Sequence, residues 1–134
     1  MNPAYLTAAN YMSNRIDNTF QHLQENKEAA FVAYICAGDP SYDASLEIAR
    51  SLADAGADII ELGVPFSDPQ ADGVVNQLAA ERALNAGMSV HKLMDLIREF
   101  RTTHDTAIVL FTYLNPVYAY GYEQFHADAA AAGA

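Results

Sequence analysis

Ala30-Phe31-Val32-Ala33-Tyr34-Ile35-Cys36-Ala37, with its echo Asp58-Ile59-Ile60-Glu61-Leu62-Gly63, is the stretch on which the fold turns. The first run is nearly continuous in apolar character, as expected of a strand covered on both faces in a parallel sheet, and the second is a short strand. The first stops at Gly38-Asp39-Pro40. Ser41 then stands where an N-cap belongs, and Leu46, Ala49, Leu52 and Ala53 share one face of a helix that Gly56 is placed to end. One helix with a short loop on each side is the connection a right-handed βαβ crossover requires.

Outward from this unit, Ile16, Phe20 and Leu23 give an apolar face to an N-terminal helix from Arg15 to about Asn26. Residues 1–11 read as a loose extension, with Met12 an equally good start, and 12–134 as one domain. Downstream, a Pro- and Asp-rich loop runs from Val64 to Asp72, and a helix follows from about Gly73 to Asn85 with Gly87 as its stop. Ser89 caps another, whose Val90, Leu93, Met94, Ile97 and Arg101 follow the helical repeat. Thr106 to Tyr113 is a third strand ended by Leu114-Asn115-Pro116, and a last helix spans about Gly121 to Ala132. Three βα units after an extra helix make α/β architecture, cut off where a fourth strand is expected. The alternative is a flavodoxin-like sheet, also incomplete, since such sheets carry about five strands.

Composition bounds the function. The chain of 134 residues is 51% hydrophobic and 18% charged, enough apolar material for a core. Seven Lys and Arg against seventeen Asp and Glu leave a net charge of −10, which argues against a nucleic-acid backbone as partner. No apolar run has membrane-spanning length and no secretory signal opens the chain, so neither membrane insertion nor export is expected. The single cysteine, Cys36, forms no internal disulfide and reads as a small core residue, which fits the cytoplasm. His22, His91, His104 and His126 show no ligand spacing and read as surface residues, with no metal site. Neither GxGxxG nor GxxxxGK[ST] occurs.

Chemistry concentrates in Glu61-Leu62-Gly63-Val64-Pro65-Phe66-Ser67-Asp68-Pro69-Gln70-Ala71-Asp72-Gly73. Glu61 is a carboxylate inside an apolar strand, where burial disfavours its charge and moves it towards acid/base use. The plainer alternative is a Glu paired with a buried Arg or set at an exposed strand end. Asp72, eleven residues on, can return to the same cleft as a second, ionised carboxylate that stabilises developing positive charge; otherwise it caps the next helix. Asp68, before Pro69, reads as a cap. Tyr34, Phe111 and Tyr113, near the ends of strands one and three, either line an aromatic slot or pack against helices. No basic cluster accompanies them, so a phosphate would need backbone N–H groups at a helix N-terminus.

Phe31 to Pro40, followed by Gly56-Ala57-Asp58-Ile59-Ile60-Glu61-Leu62-Gly63-Val64-Pro65-Phe66-Ser67-Asp68-Pro69, resembles the tryptophan synthase alpha subunit family. The likeness runs from about Asn14-Arg15-Ile16 to Gly133 in unbroken order and covers the first half of that family's barrel. It implies a (β/α)8 TIM barrel, of which three βα units and the extra helix are present. The implied activity is retro-aldol cleavage of indole-3-glycerol phosphate to indole and glyceraldehyde 3-phosphate, without a cofactor in that step. By position, Glu61 matches the acid/base carboxylate and Asp72 the one that holds the indole N–H. Tyr34 and Phe111 fall on indole-pocket positions, with Tyr113 beside them.

Pro65, Asp68, Pro69 and Asn115 fall, by the same matching, on the side that faces the beta subunit, the PLP enzyme of an αββα assembly. Two departures stand out: Gln70 where the family usually has Leu, and Gly73-Val74 where it usually has Gly-Pro. The second restores a backbone N–H and loosens the helix start. The phosphate loops and a mobile closing loop belong to the half that the resemblance does not cover. A truncated, non-catalytic half barrel that self-associates or binds the beta subunit is the alternative. A sister phosphate-binding barrel is a weaker one, having no need of this Pro-Phe-Ser-Asp-Pro loop.

Overall fold

The computed structural model describes residues 14–134, so the extension 1–11 and the alternative start at Met12 lie outside the described residues. The elements, in chain order, are α1 (Arg15–Asn26), β1 (Val32–Cys36), α2 (Tyr42–Asp54), β2 (Ile59–Gly63), α3 (Val74–Asn85), α4 (Val90–Phe100), β3 (Ala107–Phe111), α5 (Leu114–Tyr120) and α6 (Tyr122–Ala132). The expected caps form: Ser41 and Ser89 each accept the N–H three residues on, from Ala44 and Lys92, at 3.3 Å. Each satisfies one of the orphan donors at a helix start.

All three strands are parallel, in the order β1-β2-β3. A flavodoxin-like sheet would place β1 between β2 and β3; here each crossover instead moves one strand in the same direction. Crossovers of one hand and one direction put every helix on one face of the sheet. Register partners in a parallel ladder point to the same side, and neighbours along a strand to opposite sides. The rows Ala33–Ile60–Ile108 and Ile35–Leu62–Leu110 therefore face the helices, where Ile60 and Leu62 are fully buried with Leu46, Ala49, Leu93, Met94, Ile97 and Phe100. The rows Tyr34–Glu61–Val109 and Cys36–Gly63–Phe111 face the other way. That inner side is open: Val32, Tyr34 and Phe111 are 43%, 37% and 55% exposed. A curved parallel sheet with helices outside and an unfilled inside is a segment of a β/α barrel.

Several expectations are corrected. Leu114-Asn115-Pro116 does more than end β3, because it opens α5. Pro116 sits in the first turn, where its missing N–H is no loss. Gly121, at φ +98, separates α5 from α6 and so makes two helices of one tyrosine-rich stretch. Each strand is a five-residue ladder, shorter than its apolar run. On α1, which packs along β3, Leu23 is buried but Phe20 stays 49% exposed. His104 is not a surface residue: its ring stacks on Phe100 at 5.0 Å and meets Asp54 at 3.1 Å, with the side chain 16% exposed. Cys36 is buried, as expected of a core residue, and desolvation pushes its thiol up to about 11.

Candidate active site

The loop after β2 decides where the second carboxylate goes. Asp72 does not cap α3. That position belongs to Gly73, which has no side chain to offer, and the Asp72 carboxylate turns away. Its backbone is fixed on both sides, since Asp72 N–H donates to the Pro69 carbonyl at 3.1 Å and Gln77 Nε2 donates to the Asp72 carbonyl at 2.8 Å. Its Oδ2 accepts the Tyr113 hydroxyl at 3.0 Å. Among the described residues Oδ1 takes no hydrogen bond.

Tyr113 follows β3 directly and is itself held from two sides. Its oxygen accepts the Ala71 N–H at 2.9 Å, and its ring lies 5.4 Å from that of Phe66. Loss of water around the phenol, then the facing Asp72, raise its pKa, so it stays a proton donor. Tyr34, Val64, Ala71, Asp72, Phe111, Thr112 and Tyr113 together wall a cavity of about 180 Å³. Closed ligand sites usually exceed about 300 Å³, so this cavity by itself is smaller than such a site. Tyr34 and Phe111 meet edge to face at 6.0 Å and 86°, on the inner side of the sheet and not against helices. Tyr34, Phe111 and Tyr113 thus stand together at one cavity.

Glu61 is placed differently. It lies in the row Tyr34–Glu61–Val109, one row below the slot on the same inner face, half-buried, and does not line the slot wall. No hydrogen bond occupies its carboxylate among the described residues, which removes the buried-Arg alternative. Both acids act on Tyr34, whose hydroxyl is pushed up to about 12 by burial first and then by Cys36, Asp72, Tyr113 and Glu61. Arg82, on α3 at the same rim, is committed to Asp39 by a two-pronged pair at 2.7 and 2.9 Å and so is not free to grip a phosphate. Among the described residues no three His, Cys, Asp or Glu are grouped as metal ligands would be, and no helix is long and apolar enough to cross a membrane.

The four remaining site expectations lie outside the slot, and only two of them share a hollow. Pro65 and Asn115 line an apolar groove of about 690 Å³ with Phe66, Leu114 and Tyr118. Asn115 is exposed there, whereas Pro65 is buried and shapes the groove from below. Asp68 is no helix cap either: it sits in an exposed turn, accepting the Gln70 amide at 3.1 Å, and Pro69 lines a separate hollow with Val74 and Leu78. Sequence reading missed Gln77, Phe66 and the Ala71 N–H as supports of Asp72. The only trace was a Gln five residues past the carboxylate.

Known proteins resemble this chain in sequence and in fold. Residues 20–134 match the family model described as "Tryptophan synthase alpha chain". A curated tryptophan synthase alpha chain of Opitutus terrae is 48% identical over 120 residues, which are 90% of this chain and 45% of that protein. The crystal structure of tryptophan synthase subunit alpha from Legionella pneumophila superposes with a TM-score of 0.89 at 41% identity, over 92% of this chain and 47% of that one. Tryptophan synthase from M. tuberculosis, in its aminoacrylate-bound form, follows at 0.85 and 36%, over 90% and 49%. The chain thus spans about half the length of the relatives it matches. With the family match running over residues 20–134, the chain belongs to the tryptophan synthase alpha chain family.

Proposed function

We propose that this chain carries the two carboxylates of a carbon–carbon lyase site that cleaves indole-3-glycerol phosphate to indole and glyceraldehyde 3-phosphate. One observation carries the reading: Asp72, with a single oxygen anchored by Tyr113, lines an aromatic slot opposite Tyr34 and Phe111. The aromatic walls offer an indole ring apolar surface, and the free oxygen of Asp72 offers its N–H an acceptor. Glu61, on the same inner face, delivers a proton to the indole ring carbon and helps remove that of the glycerol hydroxyl. Protonating the ring makes the nitrogen cationic, so a fixed carboxylate beside it is worth more in the transition state than in the ground state. No cofactor enters that step; PLP belongs to the beta subunit, which meets this chain on the side of Pro65, Asp68, Pro69 and Asn115 in an αββα assembly in the cytoplasm.

A second reading is supported by the exposed Tyr34 and Phe111 on the inner face and by the edges of β1 and β3, which have no strand partner among the described residues. On it, the chain is a non-catalytic half barrel that self-associates or binds the beta subunit, since unpaired edges favour pairing with another chain. Indole release from indole-3-glycerol phosphate, by the chain alone and with a beta subunit added, separates the two when run beside size exclusion. Turnover lost in Glu61→Gln upholds the lyase. A folded or self-associated sample without turnover upholds the half barrel.

A further inference from the structure

Resting on the lyase reading, we infer that Tyr113 is a positioning residue for Asp72, and that with Ala71 it latches the β2–α3 loop onto the end of β3. Tyr113 stands 41 residues from Asp72 and 42 from Ala71, so the latch joins separate βα units across the mouth of the slot. The phenol gives its proton to Asp72 Oδ2 and takes the Ala71 N–H on the same oxygen, so one group sets both the carboxylate and the backbone before it. Rotation of the carboxylate about its own axis is then blocked, which leaves one oxygen for an incoming N–H donor. Phe66, from the same loop, packs on the Tyr113 ring and keeps the phenol from swinging away. The α3 start takes no capping side chain, so the Asp72 carboxylate is left to Tyr113.

Tyr113→Phe deletes the latch and keeps the ring. In the 134-residue chain, amide hydrogen exchange at Ala71 should accelerate at least about tenfold while the exchange of β2 stays as it was. Unchanged Ala71 exchange overturns the latch. In indole release with a beta subunit present, kcat should fall about tenfold to a hundredfold with KM little moved, because a misplaced group costs rate more than affinity. In an Asp72→Asn background the same change should cost no more than about twofold, since the two residues act as one unit. Equal losses in both backgrounds overturn the positioning role. If the unaltered chain releases no indole, the lyase reading fails, and Ala71 exchange still decides the latch in either direction.

Discussion

The hydroxyl of Tyr34 lies over the Cα of Gly63, in the space that a Cβ on that residue would occupy. Tyr34 is in register with Glu61, one row below, and reaches upward along the strand direction to meet Phe111 across Gly63. A glycine in mid-sheet thus serves a close approach: it lets an aromatic ring from β1 reach the slot.

Gly63→Ala is therefore expected to push the Tyr34 ring off Phe111 and to destabilise the chain by about 1–3 kcal/mol, as overpacking does. The backbone at Gly63 does not need positive φ, so the cost is steric. Urea unfolding measures it. The double variant with Tyr34→Leu should recover most of the loss, and failure to do so would place the strain elsewhere.

Asp72→Asn should cut indole release by about a hundredfold, the scale of removing one charge stabiliser of a transition state. Thermal stability should hardly change, because Asp72 is not the cap of α3. An unfolding midpoint that falls in step with activity would contradict the placement. Glu61→Gln should abolish release outright in any assembly where the unaltered chain shows it, with indole binding kept.

Arg101 ends α4 and reaches three backbone carbonyls, those of Gly133 at 2.8 Å, Thr106 at 2.6 Å and His104 at 3.3 Å. Arg101→Ala leaves these half-buried acceptors without their charged donor and should cost about 2 kcal/mol. Arg101→Lys supplies a point charge in place of a fork and should recover less than half. Denaturant midpoints of the two variants test both statements.

Alkaline pH should loosen the fold. Burial raises Cys36 from 9.0 to about 11 and Tyr34 from 10.0 to about 12; burial and the Glu99 carboxylate do the same for Tyr42. Each holds its proton more tightly when folded, so the unfolded chain releases protons first and stability falls as pH rises. The contribution is whole below about pH 9 and is lost between about pH 9 and 12. Urea midpoints across that window should drop, and less so in Tyr34→Phe. A flat profile would contradict the burial of these groups.

Much of this architecture was legible from local pattern. The apolar runs around Val32–Cys36 and Ile59–Gly63, and the serine caps at Ser41 and Ser89, are local signals with local causes. Leu114–Tyr120 was not, because Asn115-Pro116 breaks a strand and starts a helix with the same residues. The role of Asp72 was open for a similar reason: an acid before a helix is a cap unless something distant takes its side chain, and Tyr113 does.

What the sequence by itself determined is the order of the elements other than α5, the family motif from Glu61 to Asp72, and a chain with an excess of acidic over basic residues. Each follows from the period of apolar residues, from turn and cap chemistry and from charge, none of which needs a distant partner. Tertiary structure alone decided that the strands run in the order β1-β2-β3, that the inner row brings Tyr34 beside Glu61, and that Asp72 answers to Tyr113. Those facts depend on which face of each strand is covered and on contacts about forty residues apart, where packing and hydrogen bonding choose among alternatives that local propensity leaves equal.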